Sequence, residues 1–155
     1  VFRGSDAITI DEKGRFAIPA RYRQGLRDAC AGQIVVTAHH RDSCLLVYPQ
    51  PRWLEFESSL LARGGLNPEV RRLQRHFVGN ARDLEMDKQG RLLLPQMLKQ
   101  RAGLNAKAVL VGMGQTFELW DEAQWEAEQG RISEQFEMNE SGEASLPAGM
   151  EDLPL

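Results

Sequence analysis

Two nine-residue stretches, Asp11-Glu-Lys-Gly-Arg-Phe-Ala-Ile-Pro19 and Asp87-Lys-Gln-Gly-Arg-Leu-Leu-Leu-Pro95, are one element written twice, 76 residues apart. The chain is a tandem duplication, and its fold has to accommodate two equivalent halves. Each copy opens with Asp, places Gly three residues later and Arg directly after it, then alternates apolar residues into Pro. That order predicts a hairpin turn followed by a strand. The carboxylates of Asp11 and Asp87 can accept backbone amide hydrogens ahead of them, and Gly14 and Gly90 supply a positive φ that a Cβ disfavours. Arg15 and Arg91 then leave the turn on a stiff backbone, where a guanidinium is a candidate reader.

A chain of 155 residues forms one ordinary domain or two half-domains sharing a core, and the repeat favours the second. Its 42% hydrophobic content suffices for a packed interior. No run of about 18 apolar residues and no charged-then-apolar leader before the first motif is present, so a cytosolic protein is expected. Cys30 and Cys44 lack a C-x-x-C partner pair and read as free, mostly structural thiols. The net charge of −3 is unevenly spread: Glu126, Glu128, Glu134, Glu137, Glu140, Glu143, Glu151 and Asp152 face Arg131 alone at the C-terminal end. The remainder is therefore positive. The first 27 residues hold Arg3, Lys13, Arg15, Arg21, Arg23 and Arg27 against Asp6, Asp11 and Glu12, which gives the first motif a basic neighbourhood.

Ile8 and Ile10 before the first turn, with Phe16 and Ile18 after it, give the period-2 pattern of a hairpin with one buried face. Pro19 suits a first helical turn, so 20–26 reads as a short helix with Tyr22 and Leu26 on one face and Arg21 and Arg23 near the hairpin. Residues 33–37 and 44–48 flank a polar loop and form a second hairpin. Pro51 starts a helix with Trp53, Phe56, Leu60 and Leu61 on a stripe ending at Gly64-Gly65, and Asn67-Pro68 caps another with Val70, Leu73 and Phe77. Leu84, Met86, Leu92, Leu94 and Leu98 then repeat Ile8, Ile10, Phe16, Ile18 and Tyr22. Residues 108–112 and 116–120 form the matching hairpin, and 117–125 repeat 45–53 at an offset of 72. From Gly130 the periodicity fades, which predicts a frayed helix end and a mobile acidic tail.

Asp11 and Asp87 read as turn-locking carboxylates rather than an acid/base pair, because nothing else catalytic accompanies them. Arg71, Arg72 and Arg75 read as a solvated or intersubunit face, and Trp53, Trp120 and Trp125 as core or interface anchors. His39, His40, Asp42 and Cys44 crowd one loop without a second ligand group, so no metal site is expected. No G-x-x-x-x-G-K-[ST], G-x-S-x-G or H-E-x-x-H occurs, and no enzyme or cofactor is expected.

Phe2-Arg-Gly4, the two D-x-x-G-R-x-x-x-P motifs, Asn67-Pro68 leading through Arg71-Arg72 to Gly79, and Phe117-Glu-Leu-Trp120 together resemble the MraZ family of bacterial transcription regulators over residues 2–126. Val1 stands where Met is expected, as with a start codon read literally or a trimmed terminus. Each motif alone is similar to the swapped-hairpin barrel of AbrB-like regulators. The resemblance implies an α+β fold in which two β-hairpin/helix halves form one swapped-hairpin barrel with flanking helices, and in which chains close into a homo-oligomeric ring. The expected divisions are a first repeat at 1–53, linking helices at 54–80, a second repeat at 81–126, and a helix end with acidic tail at 127–155. The resemblance further implies binding to double-stranded DNA at repeated G-rich boxes upstream of the cell-division and cell-wall operon, usually as a repressor, in the cytoplasm and nucleoid. No membrane or small-molecule substrate is implied. The family's DNA-binding arginine falls on Arg15, with Lys13 in the same turn. Arg3, Arg21 and Arg23 are then expected at phosphates, and Arg91 in a lesser role because Asp83, Glu85 and Asp87 crowd it. The rival reading is an oligomeric protein-binding scaffold whose arginines serve ring contacts.

Overall fold

The computed structural model describes residues 1–137 and 146–155. Val1–Glu122 form one compact unit and Ala123–Leu155 a second. Among the described residues there are eight strands and five helices. The first copy supplies β1 (Phe2–Thr9), β2 (Arg15–Ala17), α1 (Ala20–Cys30), β3 (Gln33–Ala38) and β4 (Cys44–Pro49), followed by α2 (Gln50–Leu61) and α3 (Pro68–Gly79). The second supplies β5 (Arg82–Glu85), β6 (Arg91–Leu93), α4 (Gln96–Arg101), β7 (Lys107–Gly114), β8 (Phe117–Asp121) and α5 (Glu122–Glu137).

The strands of the two copies are exchanged. One antiparallel sheet runs β1-β7-β8-β4-β3-β5, and β2 pairs with β6 in a separate two-stranded ribbon. Thus β1 of the first copy lies on β7 of the second, from Phe2 opposite Gly114 to Thr9 opposite Lys107. In return β5 of the second copy lies on β3 of the first, Gln33 opposite Glu85. The hairpins β3-β4 and β7-β8 meet at the centre, Leu45 opposite Leu119. The six-stranded sheet is not closed on itself.

This pairing corrects the expectation of a plain hairpin around each motif. The Asp11 amide donates to the Arg15 carbonyl at 2.9 Å, which closes the turn, but β1 and β2 then diverge to partners in the other copy. Alternating burial specifies a face and leaves the partner strand open. Each copy's apolar set is too small to bury itself, and exchange gives both sets one interior. Ile10, Phe16, Ile18, Tyr22 and Leu26 lie in one buried cluster with their equivalents Met86, Leu92, Leu94, Leu98 and Ala102.

The helices that carry the motifs into the sheet differ from expectation in extent. The helix α1 runs four residues past Leu26 and stops where Ala31 turns left-handed (φ 53°) and its amide donates back to the Arg27 carbonyl. On α3 the Asn67 side chain accepts from the Glu69 and Val70 amides, so the proline-led cap forms as read. A second cluster of Val35, Trp53, Leu60 and Phe77 packs α2 and α3 against β3, and the Thr37 hydroxyl donates to the Phe77 carbonyl at 2.6 Å. Leu61 and Leu73, placed on buried stripes by periodicity, are 52% and 39% exposed. The apolar stripes are wider than the sheet face available to cover them. Arg71, Arg72 and Arg75 are exposed on α3, and both cysteines are free.

In the second unit, α5 continues through Gly130 to Glu137, where the Arg131 side chain pairs with Glu128 at 2.9 Å. Glutamate, glutamine and arginine are good helix formers, so loss of apolar periodicity did not end the helix there. Residues 138–145 of the expected tail lie outside the described residues.

Candidate nucleic-acid interface

The two motifs fold into the same turn, bond for bond. At the first, Asp11 Oδ1 accepts the amides of Lys13 and Arg15, both at 2.9 Å, while its carbonyl accepts the Gly14 amide at 3.0 Å. Its Oδ2 accepts Arg15 Nε at 2.8 Å. At the second, Asp87 Oδ1 accepts the amides of Gln89 at 2.9 Å and Arg91 at 2.8 Å, its carbonyl accepts Gly90, and Oδ2 accepts Arg91 Nε at 2.9 Å. The backbone hydrogen bond from Arg15, then that residue's side chain, holds the Asp11 carboxyl below the usual carboxylate range. For Asp87 the leading cause is likewise the backbone hydrogen bond from Arg91. A charged acceptor strengthens such bonds, so one carboxylate organises both the turn and the arginine leaving it.

Glycine is required at the first turn for two reasons. Gly14 has φ 93°, and a Cβ there would stand 2.4 Å from the Leu94 carbonyl oxygen. That close approach exists because the turns interlock: the Leu94 amide donates to the Gly14 carbonyl and the Ile18 amide to the Gly90 carbonyl, each at 2.8 Å. Between these bonds runs the ribbon, with Arg15 opposite Leu93, Phe16 opposite Leu92 and Ala17 opposite Arg91. Phe16 and Leu92 point into the core, so the alternation puts Arg15, Ala17, Arg91 and Leu93 on the outward face. Leu93 is 56% exposed there.

Each guanidinium on this face is tethered through Nε. Arg15 and Arg91 side chains remain 43% and 44% exposed, and among the described residues no other hydrogen bond engages either one. The terminal nitrogens therefore form an outward fork whose base is fixed. Lys13 lies exposed in the first turn, and a shallow cavity of about 250 Å³ is lined by Asp11, Glu12, Lys13 and Arg15.

The other cations of the first copy do not gather around the first turn. Arg3 sits near the start of β1, eight residues from Asp11, which is about 26 Å of extended chain. Its carbonyl accepts the Tyr22 hydroxyl and Arg21, and Arg21 also pairs with Asp6 and stacks its guanidinium 4.4 Å over the Tyr22 ring. Arg21 is thus at the Arg3 end of β1, away from the turn where the sequence reading placed it. Residues two apart on a helix face different sides, and Arg23 goes elsewhere. Its Nε donates to the Ile18 carbonyl at 2.7 Å, and its side chain lies across Gly90 of the second turn. Arg27, one helical turn on, donates to the Lys88 carbonyl at 3.0 Å. Neither Arg27 nor Lys88 is among the residues that the sequence alone places at the site. The i, i+4 spacing of Arg23 and Arg27 was visible, and only the exchange of strands reveals what that helix face meets.

Fold and site together define a duplicated, strand-exchanged α+β protein that presents two carboxylate-tethered arginines on one ribbon. The family profile described as "MraZ protein, putative antitoxin-like" matches residues 1–76 and again 77–144. Similar proteins named transcriptional regulator MraZ include one from Thioalkalivibrio sulfidiphilus, 51% identical over 81% of this chain and 83% of its own length. One from Halorhodospira halophila is 41% identical over the full length of both, and one from Pseudomonas aeruginosa 50% identical over 82% and 84%. The chain belongs to the MraZ family, as its paired motifs and their flanks suggested.

Proposed function

We propose that this protein is a sequence-specific DNA-binding regulator of transcription, not an enzyme, that reads repeated G-rich promoter boxes with the outward face of the β2-β6 ribbon. The relatives' shared name supports regulation of transcription. The observation that carries DNA reading is the tethered Arg15 fork. A two-stranded ribbon fits the major groove, and arginine bonds guanine O6 and N7 in pairs, a contact worth about 1–3 kcal/mol of discrimination. Fixing Nε on Asp11 reduces the side-chain freedom to be lost on contact. Lys13 assists from the same turn, while Arg3, Arg21 and Arg23 meet phosphates.

In this reading the ribbon closes the open sheet into a swapped-hairpin barrel, and chains assemble into a ring. Exposed Leu54, Leu61 and Leu73 on α2 and α3 supply apolar surface for such contacts. A ring meeting successive boxes raises the effective concentration of each later contact, so each barrel can bind weakly. The target is the cell-division and cell-wall operon, the effect repression, and the setting the cytoplasm and nucleoid.

The test is titration of a duplex carrying tandem G-rich boxes with wild type and Arg15→Ala, after light scattering shows equal assembly size. Loss of box preference in the variant supports the reading. Equal binding by the variant, or indifference of wild type to the boxes, overturns it and leaves the scaffold reading in place.

A further inference from the structure

The two turns share their internal bonds but differ in what surrounds them. At the first turn the charged residues are Asp11, Glu12, Lys13 and Arg15, which balance. At the second they are Asp87, Lys88 and Arg91, and α1 of the first copy adds Arg23 and Arg27. The additions are in direct contact: a Cβ on Gly90 would lie 2.3 Å from Arg23 Nε, and Arg27 holds the Lys88 carbonyl. The reciprocal positions in the second copy are Lys99 and Gly103, so one of the two cations is missing there. Asp83 and Glu85 lie back along β5, opposite Val35 and Gln33, and Asp87 is already engaged by Arg91.

We propose that the second turn is the phosphate-gripping end of the molecule: Arg23 and Arg27 from the first repeat and Lys88 and Arg91 from the second surround one backbone turn and neutralise DNA phosphates beside the box that Arg15 reads. This inference rests on the DNA-binding reading above and assigns it a second anchoring point, made of both copies. Four cations meet a single, already paired carboxylate. Arg23 spends only its Nε on Ile18 and Arg27 only one terminal nitrogen on Lys88, so each keeps donors for a phosphate oxygen. Such contacts set register and salt dependence and carry no base preference. The nearest further acid along the chain, Glu85, marks where the grip ends, at the end of β5.

The experiment measures binding to a tandem-box duplex and a scrambled duplex of equal length across a range of salt, with full-length wild type, Lys88→Gln, Arg27→Gln/Lys88→Gln, and an equal-charge control, Arg71→Gln/Arg72→Gln. Lys88 gives only its backbone carbonyl to the fold, so the single variant tests the idea without disturbing α1. Each lost phosphate contact lowers the slope of log K against log salt by about 0.9 on duplex DNA. The expected result is a loss of about one contact for Lys88→Gln and two for the double variant, with box and scrambled duplexes weakened by the same factor. An unchanged slope in both variants, while Arg15→Ala still abolishes box preference, overturns the grip and leaves the regulator reading standing. Equal slope loss in the Arg71/Arg72 control reduces the effect to overall charge and also overturns it. Failure of wild type to bind either duplex sinks both.

Discussion

The two turns form a controlled comparison within one chain. Both hold an arginine through Asp Oδ2 and Nε, at 2.8 and 2.9 Å, and both expose it to nearly the same degree. Their difference is outside the motif, in which neighbour packs on the glycine: the Leu94 backbone at Gly14, the Arg23 side chain at Gly90. The motif thus sets the geometry of a guanidinium, and strand exchange decides its electrostatic setting. Of the acids near Arg91 in sequence, Asp87 pairs with it, while Arg23 and Arg27 arrive at the same turn from the other copy.

The comparison breaks most completely when the shared interior is removed. Phe16→Ala empties a fully buried site between the copies and is expected to cost about 3–5 kcal/mol, read by denaturant unfolding. Both turns then lose order together, whereas independent halves would leave the second copy folded. The glycines come next and sharpen the contrast. Gly14→Ala carries about 1–2 kcal/mol of left-handed strain and pushes a Cβ against the Leu94 carbonyl, which cannot yield without opening the ribbon. Gly90→Ala meets the same strain, but its nearest contacts are atoms of the flexible Arg23 side chain, which can swing aside. The first is expected to be the more destabilising in thermal melts, and Gly90→Ala to alter DNA salt dependence through Arg23. Equal melting losses would show that the Leu94 contact gives way as easily.

The smallest effect is acid sensitivity, and there the turns should agree. Asp11 and Asp87 are both held below the ordinary carboxylate range by hydrogen bonds that exist only when folded. Their contribution is therefore complete above the unfolded value of about 3.9 and is lost as pH falls through the lower folded value. Melting temperature followed from pH 6 downwards should drop below about pH 4 in wild type and drop less in Asp11→Asn/Asp87→Asn. A steeper fall in the double variant would contradict the assignment.

Much of this was legible in the residues themselves. The repeated Asp, Gly and Arg spelled out the turn, and Asn67-Pro68 spelled out the α3 cap. The pairing was not legible, because Ile8, Ile10, Phe16 and Ile18 alternate identically whether β1 meets β2 or β7. Once the partner strand is unknown, so is the surface that α1 covers, and Arg21 and Arg23 could only be placed by nearness in sequence. The excess width of the α2 and α3 stripes at Leu61 and Leu73 was equally invisible, since periodicity counts apolar residues without knowing how much sheet lies beneath them.

The central claim is that Arg15, fixed by Asp11, reads a guanine edge. Its most direct test replaces single guanines of the box by 7-deazaguanine, which lacks the N7 acceptor, and measures binding of wild type and Arg15→Ala to both duplexes. At one position the modified base should weaken wild type by up to about 1–3 kcal/mol and leave Arg15→Ala unaffected. Equal losses in the two proteins at every position, or no loss in wild type, would contradict it.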